Sequence, residues 1–251
     1  MTRPSALSVS NLSIRFGGIT AVNNVTLALP VGCRYALIGP NGAGKTTFVN
    51  LLSGALSPTG GEIWIGERNV TNLKMPLRTK LGLSRTYQIN MLFPRLTSLE
   101  AIALAITERE NMGGVWWKRL IDLRHVMNEA QSLLEGMRLI DQAKVPIAQL
   151  AYGKQRLLEI ALALASKPRI LLMDEPAAGV PPGESREVLD AVARLPDDIS
   201  ILFIEHDMDL VFRFAERIIV LTSGAILAEG GPEEIKRDER VRAAYLGSAH
   251  V

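Results

Sequence analysis

Cysteine, long apolar runs and blocks of like charge are all scarce in this sequence, and each shortage removes a class of protein. The single cysteine, Cys33, has no partner for an internal disulfide, so a thiol-stapled scaffold is excluded. An apolar stretch such as Ile160 to Ala165 falls far short of the roughly 18 to 20 residues that span a bilayer, so any membrane role is expected to run through another subunit. The opening Met1-Thr2-Arg3-Pro4-Ser5-Ala6 lacks the apolar centre of a secretory signal, and the chain is expected to be cytoplasmic. Formal net charge is only +2, with no basic run that would track a phosphate backbone, so nucleic acid is not an expected partner. No Asn-Lys-x-Asp segment is present to read guanine, which argues against a GTPase.

At 251 residues, with 47% hydrophobic and 22% charged positions, the chain has the size and balance of one folded α/β domain with room for an insertion. Alternating apolar positions in Leu7-Ser8-Val9 and Val25-Thr26-Leu27-Ala28-Leu29 predict antiparallel strands near the start. Short apolar runs, broken only by Ser200, predict parallel strands covered on both faces: 35–38, 170–173, 199–204 and 218–221. From about residue 90 to 167 the spacing turns helical, as in Leu120, Leu123, Val126 and Met127, and again in Leu133, Leu134, Met137 and Leu139. Beyond Pro232 an exposed helix is expected, with Glu233 placed to pair with Arg237.

Chemistry concentrates at three strand ends. Gly39-Pro40-Asn41-Gly42-Ala43-Gly44-Lys45-Thr46 follows a buried strand and opens a helix, the context a phosphate-binding loop needs. Its glycines let successive N–H groups point inward, and the helix N-terminus adds positive potential. Lys45 is expected to reach the β- and γ-phosphates of ATP, and Thr46 to offer its hydroxyl to Mg²⁺, with Thr47 beside it. Asp174 and Glu175 end the apolar run 170–173, where ligands of parallel sheets collect. Their adjacency suggests Asp174 for the metal and Glu175 as general base toward water. His206 follows another strand end and Gln88 follows Arg85-Thr86-Tyr87; neither is informative alone.

In this order and spacing, the elements from Phe16 to Gly247 resemble the ATPase subunit of an ABC transporter. The resemblance implies a P-loop NTPase core with a mostly parallel sheet, an N-terminal antiparallel β subdomain and an inserted α-helical subdomain. It divides the single nucleotide-binding domain into a core of 1–89 and 168–251 and a helical part of 90–167. It implies adenine stacking by Phe16, which also reads as a core aromatic, and phosphate binding by Gly39, Asn41, Gly42, Ala43, Gly44, Lys45, Thr46 and Thr47. Thr46, Gln88 and Asp174 would serve Mg²⁺, with Glu175, His206, Gln88 and Lys45 acting in catalysis. Leu150-Ala151-Tyr152-Gly153-Lys154 stands where the family carries its signature, which meets the ATP of a facing subunit. Ala151 departs from the family's serine, and Pro181 from its aspartate or asparagine. Lys154 and Arg156 load positive charge onto a positive helix end, an arrangement that calls for an anion; the resemblance makes it the γ-phosphate bound to the facing subunit, with an ordinary basic turn as the alternative reading.

Tyr87-Gln88, the run 152–156, Ala177-Ala178-Gly179 and the ending from Leu227-Ala228-Glu229-Gly230 to Ala244-Tyr245-Leu246-Gly247 are most similar to importers of branched-chain amino acids and related amides such as urea. That resemblance implies a second ATPase subunit, alike or different, two transmembrane permease subunits and an external solute-binding protein, with the chain on the cytoplasmic face. Trp116 and Trp117 read either as core packing or as an exposed pair that receives a permease helix. Two other readings stay open: a nucleotide sensor with little turnover, motivated by Ala151 and Pro181, and a non-transport ABC ATPase.

Overall fold

A computed structural model of the chain describes residues 4–86, 92–112 and 123–246. These fall into two compact units, Met1–Leu83 with Arg169–Glu175 and Pro196–Val251, and Ser84–Pro168 with Pro176–Leu195. The expected boundaries assign 176–195 to the core, whereas here that segment groups with the helical unit. Gln88, Trp116, Trp117 and Leu120 lie outside the described residues.

In the first unit an antiparallel sheet runs β2-β1-β4-β5, from β1 (Ser5–Phe16), β2 (Ile19–Pro30), β4 (Gly60–Ile65) and β5 (Arg68–Asn69). The β1–β2 hairpin closes on two residues between Phe16 and Ile19, with Gly17 at φ 58° supplying the left-handed turn. A second sheet is ordered β10-β9-β3-β8-β7-β6. Its strands β3 (Arg34–Ile38), β7 (Ile170–Asp174), β8 (Ser200–Ile204) and β9 (Arg217–Thr222) pair in parallel, while β10 (Ala225–Gly230) returns antiparallel and β6 (Leu83–Arg85) lies at the far edge. The interior positions of the parallel strands are buried throughout, as their apolar runs require of a sheet covered on both faces.

Between the sheets' apolar faces lies α1 (Lys45–Ser53), whose Phe48, Leu51 and Leu52 join Leu12, Leu29, Leu37, Leu202 and Ile204 in one core. Its far end is closed by Arg78 of α2 (Met75–Lys80), which is 1% exposed. The guanidinium donates to the carbonyls of Leu51 and Leu52, each at 2.7 Å, of Leu73 at 2.8 Å and of Thr71 at 3.0 Å. A positive group thereby meets the negative end of the helix. Burial lowers Arg78 to about 10, so it stays charged at neutral pH. Gly54 at φ 80° ends α1, and a Cβ there would come within 2.8 Å of Arg78 Nε.

The C-terminal helix of the first unit is broken in two, α8 (Pro232–Arg237) and α9 (Glu239–Leu246), with Asp238 between them. Glu233 pairs with Lys236 at 2.8 Å, one residue short of the expected Arg237, which acts on it at longer range. Ile235 and Val241 are buried, so this segment is half-packed instead of fully solvated. α7 (Met208–Phe214) precedes β9 and is capped by the Asp207 carboxylate.

The second unit gathers α3 (Ser98–Arg109), α4 (Arg124–Gly136), α5 (Tyr152–Ala165) and α6 (Pro182–Ala193). Thr97 and Glu100 form a capping box that starts α3. α4 stops before the predicted Met137 and Leu139: Arg138 turns left-handed at φ 56°, and the Leu139 amide folds back to the Leu134 carbonyl at 2.7 Å. At the other end of α3, Arg109 grips Glu129 of α4 through two bonds of 2.6 and 2.9 Å, and donates to the Ala165 carbonyl at 2.8 Å.

Replacing Arg78 with Met takes a donor from four carbonyls, of which, among the described residues, only that of Leu51 keeps another, the Gly54 amide at 3.2 Å, and removes the charge at the end of α1. Urea unfolding is expected to show a loss of about 3 kcal/mol. Lys at the same position is expected to recover less than half, because one ammonium cannot span the fork.

Candidate active site

Register brings the polar strand ends together. Leu37 of β3 and Asp174 of β7 both sit level with Ile204 of β8, so the loops after the three strands leave the sheet side by side. The loop after β3 wraps tightly because two of its glycines lie against backbone: a Cβ on Gly39 would fall 2.1 Å from the Leu221 carbonyl oxygen, and one on Gly44 2.3 Å from that of Ala21. Gly44 caps α1 at φ 100° with no side-chain bond, leaving the first-turn amides of α1 without an acidic neighbour. Asn41 and Thr46 are exposed, Thr47 is half-buried and Ala43 is buried.

Lys45 is buried, and its ammonium donates to the carbonyls of Gly39 at 2.6 Å and Pro40 at 3.1 Å. Burial lowers its pKa, and the carboxylates of Glu175 and Asp174 oppose that shift. The lysine and both carboxylates therefore share one electrostatic environment. Glu175 stands in the left-handed region at φ 49°, with its amide bonded to the Ile204 carbonyl at 3.0 Å. That backbone turn brings its Oε1 to 2.5 Å from His206 Nε2. Buried Glu205 accepts from the His206 amide at 3.2 Å and steadies the loop that carries the imidazole. Phe16, at the tip of the β1–β2 hairpin, is 49% exposed, which sets aside its reading as a core aromatic.

One contact at this loop was not foreseen. The Tyr245 phenol of α9 shares a hydrogen bond with the Gly39 backbone, and burial pushes it up to about 12. In the sequence Tyr245 stood out only as part of the terminal run 244–247, since 206 positions separate it from Gly39 and no short-range pattern links them.

In the second unit α5 begins at Tyr152, with Ala151 as its N-cap and no side-chain cap bond. Within the chain, two carboxylates of α6 meet the basic first turn at which the resemblance implies the facing subunit's phosphate. The Gly153 amide donates to Glu184 Oε2 at 2.9 Å, and Lys154 pairs with Glu187 at 2.5 Å. Tyr152 is 40% exposed, and Arg156 lies over its ring at 5.5 Å from the centroid. Arg156 also bonds Glu159 at 2.9 Å and the Ala178 carbonyl at 3.4 Å. Burial, outweighing Arg156, pushes Glu159 up to about 7.

A glycine loop clasping a lysine, two carboxylates at the next strand end and a histidine at a third define a phosphate-loop nucleotide-binding cassette. The model of the ABC transporter family matches residues 22–178, and that of the branched-chain amino acid ATP-binding cassette transporters matches 225–251. The chain is 40% identical to the high-affinity branched-chain amino acid transport ATP-binding protein LivG of Escherichia coli (strain K12), over 99% of this chain and 100% of that protein. The ADP conformation of MJ1267, an ATP-binding cassette of an ABC transporter, superposes with a TM-score of 0.85 at 28% identity, covering 97% of this chain and 99% of that one. A dimeric post-hydrolysis state of the cassette MJ0796, bound to ADP and Pi, gives 0.75 at 26% identity over 90% and 98%. The chain belongs to the ABC transporter family, as one of its ATP-binding, ATP-hydrolysing subunits.

Because Glu159 titrates near 7 when folded and near 4.5 when unfolded, the fold favours its protonated form. The associated stability is present below the lower value and fades as pH rises toward the upper one. Comparing urea midpoints of the native chain and Glu159→Gln across pH 5 to 8, the native chain is expected to lose ground steadily up to about pH 7 and then level off.

Proposed function

We propose that this chain supplies the ATP-driven step of a branched-chain amino acid importer, on the cytoplasmic face of the membrane. The observation that carries the reading is the convergence of Lys45, Asp174, Glu175 and His206 on one edge of one sheet, with Glu175 and His206 2.5 Å apart. Similarity to LivG along nearly the whole chain supports the substrate class, since that protein's name specifies branched-chain amino acid transport.

In this reading Lys45 leaves its two loop carbonyls for the β- and γ-phosphates, and the amides of Gly39, Asn41, Gly42, Ala43, Gly44, Thr46 and Thr47 cradle the rest of the chain of phosphates. Thr46 and Asp174 offer oxygen donors, the type Mg²⁺ takes when phosphates and water complete its shell. Mg²⁺ would neutralise charge that develops on the phosphates, and Gln88 would serve it from the segment after Thr86. Glu175 accepts a proton from water, and His206 holds that carboxylate in place while facing the γ-phosphate. The partners are a second ATPase subunit, two permease subunits and a solute-binding protein. Phe16 stacks on adenine, and Ala151, Tyr152, Gly153 and Lys154 meet the ATP of the facing subunit. Dimeric MJ0796 supports that pairing by analogy of fold.

Glu175→Gln is expected to lower ATP turnover by about 100-fold or more, the range for losing a general base, while ATP binding persists. Lys45→Ala is expected to lose binding itself, measured with a fluorescent ATP analogue. Undiminished turnover in Glu175→Gln would overturn the assigned base; absence of turnover in the native chain with its permease partners would favour the sensor.

A further inference from the structure

The N-terminus of α5 is occupied. Its cap residue, Ala151, has no hydroxyl to offer, and its first turn contains no acid. Helix amides with no intrahelical partner, beside Lys154, make a strongly anion-seeking end. Glu184, in the first turn of α6, fills that end with the carboxylate that accepts from the Gly153 amide at 2.9 Å. Glu187 lies one turn further along the same face of α6 and takes Lys154. The approach favours glycine: a Cβ on Gly153 would sit 2.9 Å from the Cβ of Glu184, and would push its carboxylate aside. Among the described residues no ion pair of its own holds Glu184 there, so the amide is what keeps it.

This contact also reaches the segment between β7 and α6. Arg156 donates to the Ala178 carbonyl, and the Tyr152 hydroxyl lies where a Cβ on Gly179, at φ 72°, would be only 3.1 Å away. Signature, segment 177–181 and the start of α6 are thus one hydrogen-bonded and packed assembly within the second unit.

We propose that Glu184 is a surrogate anion, seated on the Gly153 amide until a phosphate of the facing subunit's ATP displaces it. One N–H cannot serve both acceptors, and two anions at one helix end repel, so phosphate arrival expels the carboxylate and frees the start of α6. Glu184 is a positioning residue: it sets the ATP concentration at which the two subunits close and contributes nothing to the proton transfer at Glu175. This rests on the reading in which α5 faces the partner's nucleotide.

The assembled transporter, with its permease subunits, provides the test through its ATPase activity. Glu184→Gln retains an acceptor but loses the charge, roughly halving the strength of the bond that phosphate must replace. The ATP concentration for half-maximal turnover is expected to fall about 5-fold, with maximal turnover within about 2-fold of the native value and ATP binding to the isolated chain unchanged. Glu184→Asp keeps the charge and is expected to remain near the native half-maximal concentration. Lys154→Glu, a charge reversal at the same helix end, is expected to raise it. If Lys154→Glu raises it while Glu184→Gln leaves it unchanged or higher, the surrogate role is overturned and the facing arrangement stands. If Lys154→Glu has no effect, the facing arrangement fails, and the surrogate role fails with it.

Discussion

The parallel register of β3, β8 and β7 is the constraint on which the site depends. Shifting β7 by two residues against β8 would carry Asp174 and Glu175 roughly 6 to 7 Å along the sheet, out of reach of Lys45 and His206. What holds the register is burial. These strands are apolar on both faces, and a one-residue slip would exchange every contact with the layers on each side. Catalytic polarity is thus positioned by residues that have no polarity, and the loops need only turn sharply as they leave the sheet. Glu175 does so with a left-handed backbone, and Gly39 and Gly44 do so by lacking a side chain.

Electrostatics in the two units differ in kind. Around Lys45 the opposing charges lie on neighbouring strand ends, and the buried ammonium settles on backbone carbonyls of its own loop. At α5 the balance is struck between helices, since Glu184 and Glu187 of α6 answer the amide and the lysine. A hydroxyl at position 151 would have capped α5 locally; with alanine there, the cap comes from 33 positions further along the chain.

Much of this was legible in the sequence wherever a feature is local. The phosphate loop and the Asp174-Glu175 pair each depend on neighbours within a few residues, and the apolar runs predicted the strands that carry them; His206, uninformative alone, was singled out only through the family resemblance. The need for an anion near Gly153 was also readable, from Lys154 and Arg156 alone. The resemblance assigned that anion to the facing subunit's ATP; the carboxylates of α6 that meet α5 within the chain were not legible, because their reach depends on how two helices pack, which no spacing encodes. Tyr245 at Gly39 failed for the same reason. The end of α4 was missed because Arg138 adopts a left-handed turn usually left to glycine or asparagine, with nothing in its side chain to announce it. Apolar periodicity continued through Met137 and Leu139, and the chain kept both residues buried after abandoning the helix.

The guanidinium at the end of α1 has a mechanical meaning. That helix is fixed at its start by a loop pressed against two neighbouring carbonyls, and at its finish by a fork gripping four more. Nine residues pinned at both ends leave the helix little room to slide along its axis. Moving the loop that holds Lys45 would therefore have to carry α1 with it or break the fork at its other end, about 13 Å along the helix at 1.5 Å per residue.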